Sequence, residues 1–372
     1  MKGLWLLLTT LGLCASSALA QHYQYRVLIG DRDAERGVLY YDYPSGVWGT
    51  LGICDPSPNQ LDFYYGVAVH PQTGEIWVCN VLRNRIDVLD QDGNCLRTIT
   101  GSLPRPHGIA IHPSGNKVVV SHNAFWMSEY DIHTGQWRFI TFAESDGETT
   151  FVYLDGIYGI RWHPDGQVLY ATAKDGLAEV LADGESLTNS VRCHARYNPF
   201  SGAWDVAIVD PHGVELIGTD DVWQGVNQPR RKQVGQYLFP RAQSSCTVNL
   251  RFPHPEPDGG GLLFGIERAP DGSYWMTNYD RGVLYQLDPN TGQPLRRVQI
   301  GQLKVGLGIA IVPRCETHNG DVNLDGCVDD ADLLSVLFLF GATERGIRED
   351  VNCDGVVDDA DLLIVLFNFG AC

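Results

Sequence analysis

A short segment of the form Gly-aliphatic-x-aliphatic, often ending in His-Pro, recurs along the chain and constrains its fold more than any other feature. Its six copies begin at Gly66, Gly108, Gly159, Asp205, Gly265 and Gly308. Successive copies lie 42, 51, 46, 60 and 43 residues apart. These intervals are close to the roughly 40 to 50 residues that one four-stranded propeller blade occupies.

Further strand signals follow these copies and complete each predicted sheet. After Gly66, aliphatic segments at 75–79, 85–89 and 95–99 are separated by Gly- or Asp-rich turns, which is typical of an antiparallel sheet. The copy at Gly308 lacks such strands, whereas the region from 26 to 53 holds three strand signals without a first member. The sequence therefore predicts an all-β six-bladed propeller over residues 21–314, closed by pairing of its N- and C-terminal strands, which removes exposed sheet edges.

Two segments carry a resemblance to a known class of propeller: His107-Gly-Ile-Ala-Ile-His-Pro-Ser-Gly and Ala269-Pro-Asp-Gly-Ser-Tyr-Trp-Met-Thr-Asn-Tyr-Asp. They resemble the NHL/YVTN-like six-bladed propellers, and the resemblance extends over nearly all of the predicted propeller. It implies that the turns after second strands open on the ligand face, together with residues that enter first strands. The candidate ligand face consists of His107, Asn123, Trp204, Asp220, Asn278 and Asp280.

Three interpretations of this face remain open. Its polar residues are simply solvated turns, or it binds a glycan or peptide, or it holds a metal. In the second interpretation flat apolar faces come from Tyr64, Tyr65, Trp126, Tyr158 and Trp204. In the third, a resemblance to gluconolactonase-like hydrolases implies a divalent cation held by Asn123, Asp220 and Asn278. The histidines of the His-Pro segments, His70, His112 and His163, are predicted to be turn residues rather than catalytic bases.

The C-terminal region contains two acidic segments that repeat at a spacing of 29 residues. Each is a twelve-residue loop with oxygen donors at positions 1, 3, 5, 9 and 12, a backbone carbonyl at position 7 and glycine at position 6. The predicted ligands are Asp321, Asn323, Asp325, Cys327, Asp329 and Asp332 in the first loop, and Asp350, Asn352, Asp354, Val356, Asp358 and Asp361 in the second. Because a hard cation requires many oxygens at this spacing, the pattern predicts two Ca²⁺ ions.

Each loop precedes an apolar helical segment, 333–340 and 362–369, that ends at a glycine. This duplicated loop and helix resembles a type I dockerin, so residues 315–372 are predicted to form a small α-helical dockerin-like domain. The resemblance implies docking onto a cohesin module and an association with plant-polysaccharide-degrading or carbohydrate-binding proteins. Loop positions 10 and 11, where cohesin-binding dockerins often carry a Ser/Thr pair, are Asp330-Ala331 and Asp359-Ala360.

The N-terminal 20 residues have the features of a secretory signal peptide, with Lys2, an apolar stretch and small residues before Gln21. Export makes disulfides plausible for the nine remaining cysteines, of which at least one stays unpaired within the chain. Around the C-terminal domain the sequence leaves two pairings open, Cys315 with Cys372 or Cys327 with Cys353. The net charge of −18 argues against nucleic-acid and anionic-membrane partners, and no later segment is apolar enough to span a bilayer.

Together these features predict a secreted or cell-surface, non-catalytic recognition or scaffolding protein that participates in extracellular polysaccharide binding or catabolism. The alternative is a hydrolase or lyase of the gluconolactonase-like class, with a metal ion in the central channel and a carbohydrate-derived substrate.

Overall fold

The computed structural model covers the full chain and describes it from Tyr23 onward, with gaps. The described residues are 23–31, 37–52, 54, 63–101, 103–145, 150–152, 154–174, 176–195, 201–208, 215–222, 231–238, 246–252, 254–256, 261–279, 281–301, 303, 306–343 and 345–372. The predicted signal peptide, residues 1–20, lies outside them.

The described residues form six four-stranded antiparallel sheets, here called blades I to VI, and one two-stranded hairpin. Blade I contains β1 (Tyr25–Asp31), β2 (Leu39–Tyr43), β3 (Trp48–Thr50) and, as its innermost strand, β26 (Gly306–Pro313). Blade II contains β4 (Tyr64–Val69), β5 (Ile76–Asn80), β6 (Arg85–Leu89) and β7 (Cys95–Ile99). Blade III contains β8 (Ile109–Ile111), β9 (Lys117–Ser121), β10 (Trp126–Asp131) and β11 (Trp137–Thr141).

The hairpin of β12 (Ala143–Ser145) and β13 (Thr150–Val152) separates these blades from the next three. Blade IV contains β14 (Ile160–Trp162), β15 (Val168–Ala173), β16 (Gly176–Asp183) and β17 (Ser186–Ala195). Blade V contains β18 (Ser201–Ile208), β19 (Glu215–Val222), β20 (Arg231–Leu238) and β21 (Thr247–Phe252). Blade VI contains β22 (Leu263–Arg268), β23 (Tyr274–Asn278), β24 (Val283–Leu287) and β25 (Pro294–Gln299).

The innermost strands β4, β8, β14, β18, β22 and β26 contact one another in ring order, so the blades surround a central axis. Strand β26 pairs antiparallel with β1, with Ile309 opposite Ile29 and Pro313 opposite Tyr25. Residues from both ends of the propeller therefore share blade I. The predicted all-β propeller fold is confirmed.

The repeated glycines are where neighbouring inner strands approach most closely. A Cβ atom on Gly108 would lie 2.1 Å from the carbonyl oxygen of Tyr158, and one on Gly66 would lie 2.4 Å from that of His107. The Gly66 amide donates to the same His107 carbonyl over 2.8 Å. Glycine is needed at these points because any side chain would separate the two backbones.

The histidines of the His-Pro turns bind one blade to the next, which agrees with their predicted role as turn residues. Nε2 of His70 donates to the carbonyl of Gly115 over 2.9 Å, and Nε2 of His112 donates to that of Gly166 over 3.2 Å. Nδ1 of His70 accepts the amides of Gln72 and Thr73 in its own turn. Buried apolar side chains from adjacent blades fill the interfaces between these turns, with Trp77 and Trp275 the largest.

The C-terminal domain consists of two loops, each followed by a short helix. Helix α1 (Asp330–Phe338) and helix α2 (Asp359–Phe367) both begin with a capping box, from Asp329 and Asp358 respectively. The core of the C-terminal domain is a cluster of seven buried aliphatic residues, Val322, Val328, Val336, Ile347, Val351, Val357 and Val365.

The C-terminal domain contacts the propeller directly at blade I. The Gln24 amide donates to the Gly346 carbonyl, and the Arg314 amide donates to the Gln24 carbonyl over 3.0 Å. Tyr23 forms a β-bridge with Ile347 and packs against both the domain core and a propeller core cluster. The residues that precede β1 and follow β26 are therefore held by the C-terminal domain.

Four disulfides join the described cysteines: Cys54–Cys95 and Cys193–Cys246 in the propeller, and Cys315–Cys353 and Cys327–Cys372 in the C-terminal domain. Both pairings considered from the sequence for this domain are wrong. Val328 exchanges backbone hydrogen bonds with Gly370 and Ala371, which places Cys327 beside Cys372. The Cys315 sulfur lies 3.2 Å from the Asp350 carbonyl oxygen, in the loop that also carries Cys353.

Cys79 is the one unpaired cysteine among the described residues, and it is fully buried. In the described part of the chain, no helix is both long enough and apolar enough to cross a membrane.

Candidate functional site

The two acidic loops share one backbone conformation. Position 4 has a left-handed φ in both, 61° at Leu324 and 63° at Cys353, and position 6 has φ of 94° at both Gly326 and Gly355. No atom lies within 4 Å of a Cβ built on either glycine, so glycine is required there by the dihedral angle rather than by space. The duplicated sequence therefore folds into duplicated geometry.

Loop side chains accept backbone amides of their own loop. In the first loop Asp321 accepts from Gly326 over 3.1 Å and Asn323 accepts from Asp325 over 2.9 Å. In the second, Asp350 accepts from Gly355 over 3.0 Å and Asn352 accepts from Asp354 over 2.8 Å. These bonds turn the side-chain oxygens of positions 1 and 3 toward the loop.

The aspartates at position 12, Asp332 and Asp361, are completely buried. Asp332 accepts the amides of Val322 and Asn323 at the start of its loop and that of Asp329 at the helix cap. Asp361 accepts the amides of Asn352 and Asp358. Each carboxylate thus joins the two ends of its loop.

In the first loop, one side-chain oxygen is suited to bind a hard cation. Oδ1 of Asp321 is buried and has no hydrogen-bond partner, and an oxygen left in this state costs free energy unless another group compensates for it. In the second loop, burial raises the pKa of the Asp350 carboxyl, and the nearby carboxylates of Asp361 and Asp354 raise it further. The first loop therefore has a carboxylate oxygen without a hydrogen-bond donor, and the second has three carboxylates close to one another.

Across the described residues, no three His, Cys, Asp or Glu side chains are grouped closely enough to hold a metal ion. The carboxylates at position 12, Asp332 and Asp361, accept hydrogen bonds from backbone amides. To bind Ca²⁺ as well, each of them would have to coordinate the ion with its remaining lone pairs. Bound Ca²⁺ would supply positive charge at the loops.

The outer faces of the two helices are apolar and exposed. Phe338 and Phe367 occupy equivalent positions and are each 83% exposed. Around them lie further exposed side chains, Leu334, Leu337, Phe340, Leu363, Leu366 and Phe369. Large exposed apolar patches are common at sites of interaction with other molecules. Neither the sister helix nor the propeller covers it.

One residue of each repeat, the one directly before the repeat's first position, lies at the mouth of the channel. We call these six residues the collar: Tyr65, His107, Tyr158, Trp204, Phe264 and Leu307. Tyr65 is 5% exposed and contacts rings from three other blades, with centroid distances of 4.7 Å to His107, 6.5 Å to Tyr158 and 5.4 Å to Phe264. Its side chain therefore lies across the axis.

The collar continues around the far side of the channel. The Trp204 ring lies 4.6 Å from that of Tyr158 and 5.0 Å from that of Phe264, and Phe63 and Tyr279 pack against the same cluster. A cavity of about 20 Å³ lies between these rings and the inner strands, with Asp205 and Arg161 in its wall. The channel therefore has an aromatic upper end and a charged interior.

Three charged residues from three adjacent blades meet in the channel. The Arg161 guanidinium lies 2.5 Å from the Glu267 carboxylate and 3.8 Å from that of Asp205. Asp205 also accepts the amides of Val206 and Ile266, over 2.9 and 3.0 Å. Burial raises the pKa of Asp205 to about 6 and also raises that of Glu267, although Arg161 opposes both shifts. One cation therefore faces two carboxylates.

The structure brings only part of the predicted ligand face together. His107 and Trp204 are collar residues, and Asn123 is exposed and hydrogen-bonds to Tyr158. Asn278 is completely buried and hydrogen-bonds to Tyr285, so it is not part of an exposed surface. Asp280 and the side chain of Asp220 lie outside the described residues, which leaves the three-residue metal site of the alternative interpretation without a described geometry.

Two further expectations about this face are wrong. Tyr64 offers no flat surface to a ligand, because it is 1% exposed and its hydroxyl faces Asp87 inside blade II. The polar residues at the ends of second strands are not generally solvated either. Asn80 and Asn278 are buried, and Asn80 accepts the Arg83 amide and donates to Asp87, which stabilises the turn.

The channel residues Arg161, Asp205 and Glu267 were not predicted from the sequence, although an aligned repeat contains the signal for them. Asp205 stands where five copies have glycine. Arg161 and Glu267 stand two positions after the start of their copies, where the other four have alanine. At these aligned positions the other copies have glycine or alanine, so the three charged residues distinguish blades IV, V and VI from the rest.

Comparisons with known proteins identify the fold. No protein-family model matches the chain. No curated protein sequence matches it either. A propeller in the crystal structure of a nidogen/laminin complex is similar, with a TM-score of 0.57 and 13% identity over 78% of this chain and 100% of that one.

Two other solved structures are similar at lower scores. A proposed 6-phosphogluconolactonase from Bacteroides uniformis has a TM-score of 0.50 and 12% identity, over 78% of this chain and 99% of that one. Virginiamycin B lyase from Staphylococcus aureus has a TM-score of 0.45 and 17% identity, over 65% of this chain and 72% of that one. At these identities, the matches with TM-scores of 0.57 and 0.50 show a β-propeller fold alone.

Proposed function

We propose that this is a secreted, non-catalytic recognition or scaffolding protein, in which the propeller presents a ligand surface and the C-terminal domain docks onto a partner protein in a Ca²⁺-dependent manner. Its role would be in extracellular polysaccharide binding or catabolism. The observation that carries the proposal is the duplicated apolar helix surface, with Phe338 and Phe367 each 83% exposed directly after the two acidic loops.

The chemistry of the two loops supports a role for Ca²⁺ in forming this surface. Each helix begins at the capping aspartate of its loop, Asp329 or Asp358, so the ion and the helix share their anchoring residues. The unpartnered Oδ1 of Asp321 and the mutual repulsion around Asp350 would both be relieved by a cation. Four disulfides are consistent with an oxidising compartment, where free Ca²⁺ is abundant enough for such sites.

The experiment that tests Ca²⁺ binding is native mass spectrometry combined with single substitutions. The intact protein should bind two ions, and Asp321→Ala and Asp350→Ala should each lose one. Asp330→Ala is the matched control, because this exposed aspartate at loop position 10 accepts no loop amide among the described contacts and should leave the count at two. Retention of both ions by the two position-1 variants would overturn the calcium assignment.

Docking is tested separately with a cohesin module as the immobilised partner. The double variant Phe338→Ser and Phe367→Ser should abolish binding without lowering the melting temperature, because both rings already face solvent in the free protein. EDTA should abolish binding of the unaltered protein and lower its helical circular dichroism. Equal binding by the double variant would contradict docking through this surface. A third bound ion, together with turnover of a lactone, would instead favour the hydrolase alternative.

A further inference from the structure

Two side chains at the channel mouth each contain a buried polar atom without a hydrogen-bond partner among the described residues. These atoms are the Tyr65 hydroxyl oxygen and the indole nitrogen Nε1 of Trp204. Tyr65 is 5% exposed, and both residues line the cavity of about 20 Å³ between the collar and the inner strands. A buried polar group costs free energy unless another group satisfies it, and this cavity has room for about one oxygen-sized group. The cavity is therefore suited to hold a single polar group.

The chemistry of these two side chains determines which group fits. An indole N–H only donates hydrogen bonds, so the group must be an acceptor, which excludes an ammonium ion. Burial raises the pKa of the Tyr65 hydroxyl well above its ordinary value, so this hydroxyl stays protonated and can donate as well. Arg161, the cation in the cavity wall, is paired with Glu267 and Asp205, so the wall does not favour an anion. The group that fits is a neutral oxygen.

The rings above the cavity are suited to the apolar face of a sugar. Tyr158 and Trp204 are partly exposed, and their ring centroids lie 4.6 Å apart with an angle of 60° between the rings. Tyr279 is also partly exposed and lies 5.7 Å from the Phe264 ring in the same cluster. Aromatic rings provide flat apolar contact area, and ligand sites combine such area with a few polar groups that fix orientation. A pyranose ring on Tyr158 and Trp204 would use both features if it carried a hydroxyl on a short arm.

We propose that the collar binds a neutral hexopyranose residue of a polysaccharide, whose hydroxymethyl oxygen enters the cavity and accepts hydrogen bonds from Nε1 of Trp204 and the Tyr65 hydroxyl. The hydroxymethyl group fits because its oxygen is carried on a rotatable single-carbon arm, whereas the other hydroxyls are attached directly to the ring. This inference rests on the proposed function, since it specifies the kind of sugar that the propeller recognises. It follows that a pentopyranose such as xylose, which lacks the hydroxymethyl group, binds less tightly.

Isothermal titration calorimetry with cellohexaose and xylohexaose tests this proposal on the full-length protein. The two sugar chains share their linkage and differ in the hydroxymethyl group, so cellohexaose should bind about tenfold more tightly. Tyr65→Phe keeps the ring and should weaken cellohexaose binding about three- to tenfold, while it changes the affinity for xylohexaose less than about twofold. A purely structural role of Tyr65 would weaken both sugars equally. Trp126→Phe changes a partly exposed aromatic residue outside the collar and is the matched control, with unchanged affinities expected.

Equal affinity of the unaltered protein for the two sugars would overturn this inference and leave the proposed polysaccharide binding in place. So would wild-type affinity for cellohexaose in Tyr65→Phe, because the cavity would then hold water alone. No binding of cellohexaose, mannohexaose or xylohexaose would overturn both this inference and polysaccharide binding by the propeller. Binding of Nα-acetyl-serine amide as tight as that of cellohexaose would overturn the assignment to a sugar. Calcium binding and docking are measured independently of these results.

Discussion

The contact between the C-terminal domain and blade I can be tested at a single glycine. Gly346 has φ of 78°, and a Cβ atom built on it would lie 2.5 Å from the Gln24 carbonyl oxygen and 3.2 Å from Cβ of Pro313. Gly346→Ala would therefore force the backbone of residues 345–347 away from the propeller. Gly341 offers a matched control in the same domain, with φ of 86° and nothing within 4 Å of its Cβ position.

Both substitutions place an alanine in the left-handed region, and only Gly346→Ala also disrupts backbone hydrogen bonds. An alanine held in the left-handed region costs about 1 kcal/mol, which applies to both variants. Gly346→Ala additionally disrupts the hydrogen bond from Gln24 to Gly346 and the one from Arg314 to Gln24, each of which contributes about 1 kcal/mol. The expected loss is about 3 kcal/mol for Gly346→Ala against about 1 kcal/mol for Gly341→Ala.

Native-state hydrogen exchange measures this difference at the residues concerned. The excess of about 2 kcal/mol corresponds to exchange roughly 30-fold faster at the Gln24 and Arg314 amides in Gly346→Ala than in Gly341→Ala. Amides within β23, on the neighbouring blade VI, should exchange at similar rates in both variants. Equal protection of Gln24 in the two variants would refute the conclusion that the C-terminal domain holds blade I at this point.

Three further predictions concern the propeller alone. Cys79 should resist iodoacetamide in the folded protein and react only after denaturation, because burial raises its pKa and blocks access; labelling of the native protein, read by mass spectrometry, would contradict this. Gly108→Ala should destabilise the propeller by about 2 kcal/mol or more, since its Cβ would lie 2.1 Å from the Tyr158 carbonyl, and an unchanged calorimetric melting temperature would refute the close approach. Asp205 has a pKa of about 6 in the folded protein, above its ordinary value of 3.8, so the folded state binds the proton more tightly than the unfolded state. The contribution of Asp205 to stability therefore falls as pH rises from 4 to 6. Urea midpoints of Asp205→Asn should lack this pH dependence, and identical pH profiles for the variant and the unaltered protein would contradict the prediction.

The part of the fold that the sequence predicts is the part that depends on backbone geometry. The glycine that starts five of the six repeats is needed where inner strands touch, so its recurrence indicates the spacing of those strands. The loop glycines Gly326 and Gly355 are needed for their dihedral angle, and their common register with the acidic residues predicts two loops of one shape. Each of these two signals lies within a short segment of the chain, so it can be recognised in a single sequence.

The parts that were not predicted depend on which segments meet in space. The pairing of Cys327 with Cys372 follows from two hydrogen bonds between Val328 and the end of the chain, which no local pattern encodes. Asn80 and Asn278 look like solvated turn residues in the sequence, and only the packed blade shows that they are buried. Polarity alone does not separate a solvated side chain from one that satisfies a buried turn.

The collar position and the glycine position that follows it are under different constraints. A substitution at a repeat glycine separates two strands, whereas a substitution at the collar position before it changes the side-chain packing of the cluster at the channel mouth. The collar accordingly holds Tyr, His, Trp, Phe and Leu at equivalent places in one ring. Asp205 is the exception in the glycine column, and it is accommodated because its carboxylate oxygens accept the amides of Val206 and Ile266. Those two hydrogen bonds explain how a charged residue fits at a position where the other five repeats have glycine.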